Sequence, residues 1–279
     1  MLPKEVHYAV RALMAIREDE EMTEEEYRKA KGINKSTLWE IRKSPAHYQW
    51  CLKHPQHDTQ ALRMGRAVHS AILTPKPFKM DFAELPGWDI RTKAGKEARE
   101  QFMAALPDGV TPLSRDELQT VYEIRKAFKA SKEAKELIKR SRREKPLFWT
   151  DTETGLPCKC RVDSVTSSAA VDIKTTTDGS ARAFQRDAIK YGYHVQAAHY
   201  LSGIEAVLGW RPDWYFIVIE KTEPFAVHIF KATPGFLEFG AYERGRLMDR
   251  VKSCTDSGEW PGYGLEELDA PSWALTEDE

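Results

Sequence analysis

The chain is short of cysteine, of long apolar runs and of net charge, and each shortage excludes something. Four cysteines in 279 residues, at 51, 158, 160 and 254, do not make the disulfide framework of a secreted scaffold. Cys158 and Cys160 form a C-x-C within a strand-like segment, not the C-x-x-C knuckle of a zinc site. No stretch approaches the roughly 20 apolar residues of a membrane helix, so no membrane partner is expected. The opening MLPKEVHYAVRALMAIREDEE has a helical apolar pattern broken by charges. It lacks the apolar h-region of a signal peptide, and a cytoplasmic location is expected. A net charge of -1 rules out a basic field spread over the whole chain. No internal repeat or low-complexity segment is present.

What is there is a soluble, globular composition, with 41% hydrophobic and 30% charged residues. The charge is unevenly spread. From Arg125 to Lys145 there are ten Lys or Arg against three Glu, and from Asp256 to Glu279 eight acidic residues and no basic one. A solvated helix face explains the first run as simply as a binding surface does.

Periodicity divides the chain. Residues 1–60 read as a helical lead-in, with Asn34 or Ser36 capping a short helix before Pro45. Leu62, Met64, Val68 and Ile72 are spaced for a helix that Pro75 ends. Residues 75–95 read as a loop, and 96–106 and 114–141 as helices. The period then changes. KPLFWTDTETGLPCKCRVDSV is a hairpin turning at Thr154-Gly155, and AAVDIKTT is a third strand beside it. A helix in two pieces splits near Tyr191-Gly192, WYFIVIEK and FAVHIFKA form a second hairpin, and a long helix follows. Residues 256–279 read as an acidic irregular tail. The expectation is one α/β domain over 1–279, with a mixed central sheet flanked by helices, an N-terminal helical part, and its core at 61–255.

One stretch carries chemistry. In AAVDIKTTTDG, Asp172 and Lys174 project from one face of a strand while Val171 and Ile173 face the other way. Asp-x-Lys alone arises by chance about once in such a chain. Asp163, however, closes the neighbouring strand, where it shares a face with Lys159 and Arg161. Two carboxylates and an ammonium on adjacent strand ends suit a hard divalent cation, with the lysine placed to orient or deprotonate water and to offset phosphate charge. That is a layout for phosphodiester hydrolysis. Surface charges on a hairpin are the competing reading.

Asp163, followed nine positions later by Asp172-Ile173-Lys174 after an apolar strand, resembles the core of the PD-(D/E)xK nuclease superfamily. GRAVHSAIL resembles its upstream G-x-x-x-H helix motif, here Gly65 and His69. YHVQAAHY resembles its downstream Q-x-x-x-Y motif, here Gln196 and Tyr200. REKPLFW places Glu144 just before the first strand, where these nucleases often carry an acidic residue. Within the superfamily, KSTLWEIRKSPAHYQW and YGYHVQAAHYL are similar to the RecE (exonuclease VIII) nuclease family, over residues 33–265.

The resemblance implies a restriction-endonuclease-like core and a Mg²⁺-dependent exonuclease, with Mn²⁺ able to substitute. It would act on double-stranded DNA ends in the 5′-to-3′ direction, in a bacterial or phage-infected cell. The product would be a 3′ single strand for an annealing protein. Asp163, Asp172 and the Ile173 carbonyl would hold metal, His69 would hold a second ion, and Lys174 would serve the attacking water. Gln196 would position Lys174 or the DNA backbone, and Tyr200 would contact DNA. Arg63 and Arg66 are the candidates for a 5′-phosphate pocket, because arginine's planar fork binds phosphate bidentately. A closed ring is expected, a tetramer before a trimer. A PD-(D/E)xK endonuclease and a non-catalytic DNA-binding or assembly protein are the alternatives. His69, Gln196 and Tyr200 also fit ordinary packing, as do Tyr193, His194, His199, Trp39, Tyr48 and Trp50.

Overall fold

The computed structural model describes residues 22, 24–54, 58–107 and 109–270. The part of the lead-in before these residues, and the last nine residues of the acidic tail, lie outside them. Helix α1 spans Glu24–Lys29, α2 Lys35–Glu40 and α3 Pro45–Lys53. Asn34 caps α2 by accepting the Thr37 N–H (2.9 Å), and Ser44 caps α3, with Pro45 at its first position, where no N–H is needed. Helix α4, Gln60–Leu73, buries Val68, Ala71 and Ile72.

The stretch 75–95 is not the loop its prolines suggested. Pro75 starts a new helix, α5 (Pro75–Asp81), followed by a short strand, β1 (Phe82–Glu84). Proline is as compatible with a helix's first turn as with its end. Helix α6 spans Lys93–Ala105, and β2, Thr111–Leu113, pairs parallel to β1. The helix expected over 114–141 is two. In α7, Arg115–Ala130, Ser114 and Glu117 form a capping box. Ser131 then ends α7 and caps α8, Lys132–Leu137, by accepting the Ala134 N–H.

The central sheet has the order β3-β4-β5-β6-β7. Its strands are β3 Arg142–Thr150, β4 Pro157–Val165, β5 Ala169–Thr176, β6 Asp213–Glu220 and β7 Val227–Lys231. β3/β4, β4/β5 and β6/β7 are antiparallel. β5 and β6 are parallel, joined over one face by α9, Ala181–Lys190, and α10, Tyr193–Leu208. Helix α11, Pro234–Ser257, packs on α10 so closely that a Cβ at Gly240 would lie 2.1 Å from the His194 carbonyl oxygen.

Each sheet face has its own core. Leu201, Trp214, Phe216 and Val218 pack with α2 and α11 residues on one side, and Ile173, Ile217 and Ile219 with α4 and α7 residues on the other. The tail after α11 is irregular and partly a cover: Trp260 stacks on Tyr48 with ring centroids 5.4 Å apart, and Ala46 donates to the Pro261 carbonyl. Leu265 and Leu268 beyond it are fully exposed.

Candidate active site

The site forms where two strands part. β4 and β5 pair only at Ser164–Val171 and Val165–Ala170. Beyond that, the alternation of β4 breaks: Val162 and Val165, three apart, enter the same core cluster. Asp163 stands at the break. Its Oδ2 accepts the Ile173 N–H (2.7 Å), which replaces the lost ladder bond and holds the carboxylate in the fork.

From β5, Asp172 and Lys174 enter the same fork, with Nζ 2.6 Å from Asp172 Oδ2. That oxygen is buried and makes no aligned hydrogen bond, despite the close ammonium. The Gln196 side-chain amide, from α10, donates to Asp172 Oδ1. Gln196 therefore turns Asp172 rather than Lys174. His69, from α4, completes the fork: Nδ1 lies 3.4 Å from Asp163 Oδ2, and Nε2 2.7 Å from the Ile173 carbonyl oxygen. Glu144 lies within β3 rather than before it, at φ 47°, and pairs with Arg161 (3.0 Å).

The electrostatics follow. Burial pushes the Asp172 carboxyl above its usual range, with Asp163 adding to the effect and Lys174 opposing it. Burial acts likewise on Asp163, but His69 and Lys174 outweigh it and hold that carboxyl low. Burial would lower His69, yet Asp163 raises it to about 9. Lys174 stays charged although buried, because Asp172 and Asp163 face it.

These residues line a cleft of about 270 Å³ together with Tyr200, Tyr27, Asn34, Lys35 and Ser36. Sequence reasoning missed Lys35 and Tyr27. Lys35 Nζ donates to the Tyr191 carbonyl. Burial, then the Lys174 charge, lowers its amine to about 7. Tyr27 lies over Lys159 and Arg161 (4.9 and 5.2 Å), and Lys159 Nζ caps α1 by donating to the carbonyls of Tyr27, Arg28 and Ala30. The only signal was parity, which put Lys159 and Arg161 on the face of Asp163.

Arg63 and Arg66 do not line the cleft. Arg63 pairs with Glu117 (3.2 Å), and Arg66 holds Asp58 bidentately at 2.7 and 2.8 Å. His199 is a buried core histidine, bonded to the Ile33 and Lys159 carbonyls and to Arg244.

His69, Glu144 and Asp163 bring ligand atoms within 4.8 Å of one another. With the Ile173 carbonyl and the unaligned Asp172 oxygen, this set of mostly oxygen donors fits a hard divalent cation. No described helix is long and apolar enough to cross a membrane.

The sequence matches the family described as "PDDEXK-like domain of unknown function (DUF3799)" over residues 34–270. Among curated proteins none matches. A solved structure from Eubacterium rectale, described as "Putative exonuclease", superposes with a TM-score of 0.60 at 12% identity, covering 92% of this chain and 98% of that one. Another, described as SSO0001, superposes only loosely, with a TM-score of 0.31 at 11% identity over 82% of this chain and 89% of that one.

Proposed function

From the premise that the chain belongs to the PDDEXK-like domain family and has its fold, we propose that it is a Mg²⁺-dependent exonuclease acting on double-stranded DNA ends. The observation that carries this reading is the fork itself: Asp163, Asp172 and Lys174 converge where β4 and β5 part, with Gln196 and His69 fixing the two carboxylates.

A divalent ion held by Asp163, Asp172, the Ile173 carbonyl, His69 and Glu144 would supply positive charge against the phosphate oxygens. Mg²⁺ suits one or two carboxylates with waters completing its shell, and Mn²⁺ accepts the imidazole as well. The chain's own groups do the rest. Gln196 fixes one Asp172 oxygen so that the other faces Lys174 and the cleft. Lys174, kept as an ammonium, donates to the attacking water and offsets the charge gathering on the phosphate. Lys35 brings a second amine to the same wall.

Attack from an end rests on the resemblance to the RecE nuclease family. The likeness to the Eubacterium rectale protein agrees. The 5′-to-3′ direction, the 3′ single-stranded product and a partner annealing protein rest on the RecE resemblance. Arg63 and Arg66, paired with Glu117 and Asp58 and absent from the cleft lining, fit the 5′-phosphate role less well than Lys35 does.

The test is digestion of linear duplexes labelled at the 5′ or the 3′ end, beside a closed circle, with Mg²⁺ or EDTA. Early release of the 5′ label, an intact circle and no reaction in EDTA are expected. A cut circle would make the protein an endonuclease, and no cleavage of any substrate would remove the enzyme.

A further inference from the structure

The corner between α9 and α10 is built more rigidly than a simple connection needs. The Tyr191 N–H donates to the Asp187 carbonyl (2.8 Å), and its own carbonyl accepts from Lys35. Gly192 follows at φ 68°, a left-handed conformation that favours glycine. Its open side faces Trp39, whose ring a Cβ would meet at 2.8 Å. The corner is thus pinned by a lysine and a tryptophan from α2.

What it displays is a line of aromatic rings leading out of the cleft. Lys174 Nζ, 2.6 Å from Asp172, lies 4.6 Å from the Tyr193 ring centroid, and the Tyr193 ring is 6.0 Å from that of Tyr191. Tyr193 is partly buried, whereas Tyr191 is 46% exposed beside an equally exposed Ile189. Lys190 Nζ stands 5.3 Å from the Tyr191 ring. A lone exposed tyrosine is ordinary. One pinned by its backbone, two rings out from the cleft lysine and beside the Lys190 amine, has the composition of a single-strand track, in which rings stack bases and cations meet phosphates.

We propose that Tyr191 is a stacking platform for a nucleobase of the DNA strand held at the cleft, setting how firmly that strand is gripped next to the reacting phosphate. The inference rests on the nuclease reading. Every base has a π-face, so the platform would act without regard to sequence. It takes no part in the chemistry, and its loss should appear in KM rather than kcat.

The experiment joins kinetics on linear duplex with binding of an oligonucleotide carrying 2-aminopurine at its end, measured in Ca²⁺. Stacking quenches that base's fluorescence. Tyr191→Ala should raise KM roughly tenfold with kcat within about twofold, and abolish the quench, while Tyr191→Phe keeps both at wild-type values. Tyr191→Leu retains apolar bulk without a π-face and should also lose the quench, which covers the case of an alanine variant that fails to fold. Wild-type KM and quench in either the alanine or the leucine variant would overturn the platform. The two readings fail separately. A wild-type protein that cuts DNA without quenching the probe removes the platform alone, and one that quenches the probe but cuts nothing removes the nuclease and leaves the platform.

Discussion

At the residue scale, the fork acts as a unit. Asp163→Asn, Asp172→Asn and Lys174→Ala should each reduce cleavage by at least about a thousandfold, since one member of such a unit costs nearly as much as several. Circular dichroism and thermal melting would confirm that the variants fold, and near-wild-type activity in folded Asp172→Asn would remove the assignment. Gln196→Ala should reduce activity less, because it frees Asp172 to turn without removing a charge. A second prediction concerns stability. His199 sits fully buried between the Ile33 and Lys159 carbonyls, against the Trp149 ring, with Arg244 donating to Nδ1 and Asp151 pairing with Arg244. Burial first, then the Arg244 charge, hold it down to about 3. Below about 6.5 the unfolded chain binds a proton that the folded protein refuses. Stability should therefore fall as pH drops from about 6.5 toward 3, by up to about 1.4 kcal/mol per pH unit from this group. Urea midpoints at pH 7 and pH 5 would show it. His199→Gln should flatten that part of the slope, and an unchanged slope would mean that His199 titrates in the fold.

At the element scale, helix contacts set where the site residues stand. Gly240→Ala would force α11 away from α10, whose N-terminal turns carry Tyr193 and Gln196. A loss of about 1–3 kcal/mol is expected in denaturant unfolding, together with reduced activity. A wild-type midpoint would show that the two helices separate at little cost. Elements also mark what was legible in the sequence. The period-2 alternation around Asp172 and Lys174, and the glycine between α9 and α10, gave the strand, its two faces and the broken helix. The parting of β4 and β5 was not visible, because a register break leaves no mark in composition. Ser131 gives no sign of a helix end, since the i,i+4 charge pattern runs on beyond it. β1 and β2, three residues each, are shorter than any periodicity can show. Lys35 and Tyr27 reach the fork from more than 100 residues upstream of Asp163, a distance that only the fold closes.

At the scale of the whole molecule, the difficulty is a net charge of -1 on an enzyme proposed to follow a polyanion. The basic run 125–145 is spread over α7, α8 and the start of β3. Lys139, Arg140 and Arg142 from it line a groove of about 860 Å³ with Glu133, Glu136, Trp210 and Tyr215, and Lys139 pairs with Glu136 at 3.0 Å, which leaves Arg140 and Arg142 as the cations that could meet a phosphate. Ala169 of β5 also borders this groove, and Lys174, about 16 Å further along the same strand, lies in the cleft. A closed ring would turn Arg140 and Arg142 inward and trap the DNA topologically, and cyclic closure is the common outcome for homo-oligomers. The acidic residues from Asp256 onward would then face outward or lie between subunits. Light scattering coupled to size exclusion should give four chain masses, or three if the ring is a trimer, and a monomeric mass at working concentration would refute the ring. Kinetics provide an independent measure. Once loaded, a ring should keep digesting one duplex when excess competitor DNA is added, at low and moderate salt alike. An open monomer would exchange to the competitor quickly, and faster as salt rises, because its grip would be purely ionic. Arg140→Glu with Arg142→Glu leaves the fork intact and should shorten each run without changing the rate of the first cleavage. If run length is unchanged, the groove lies off the DNA path.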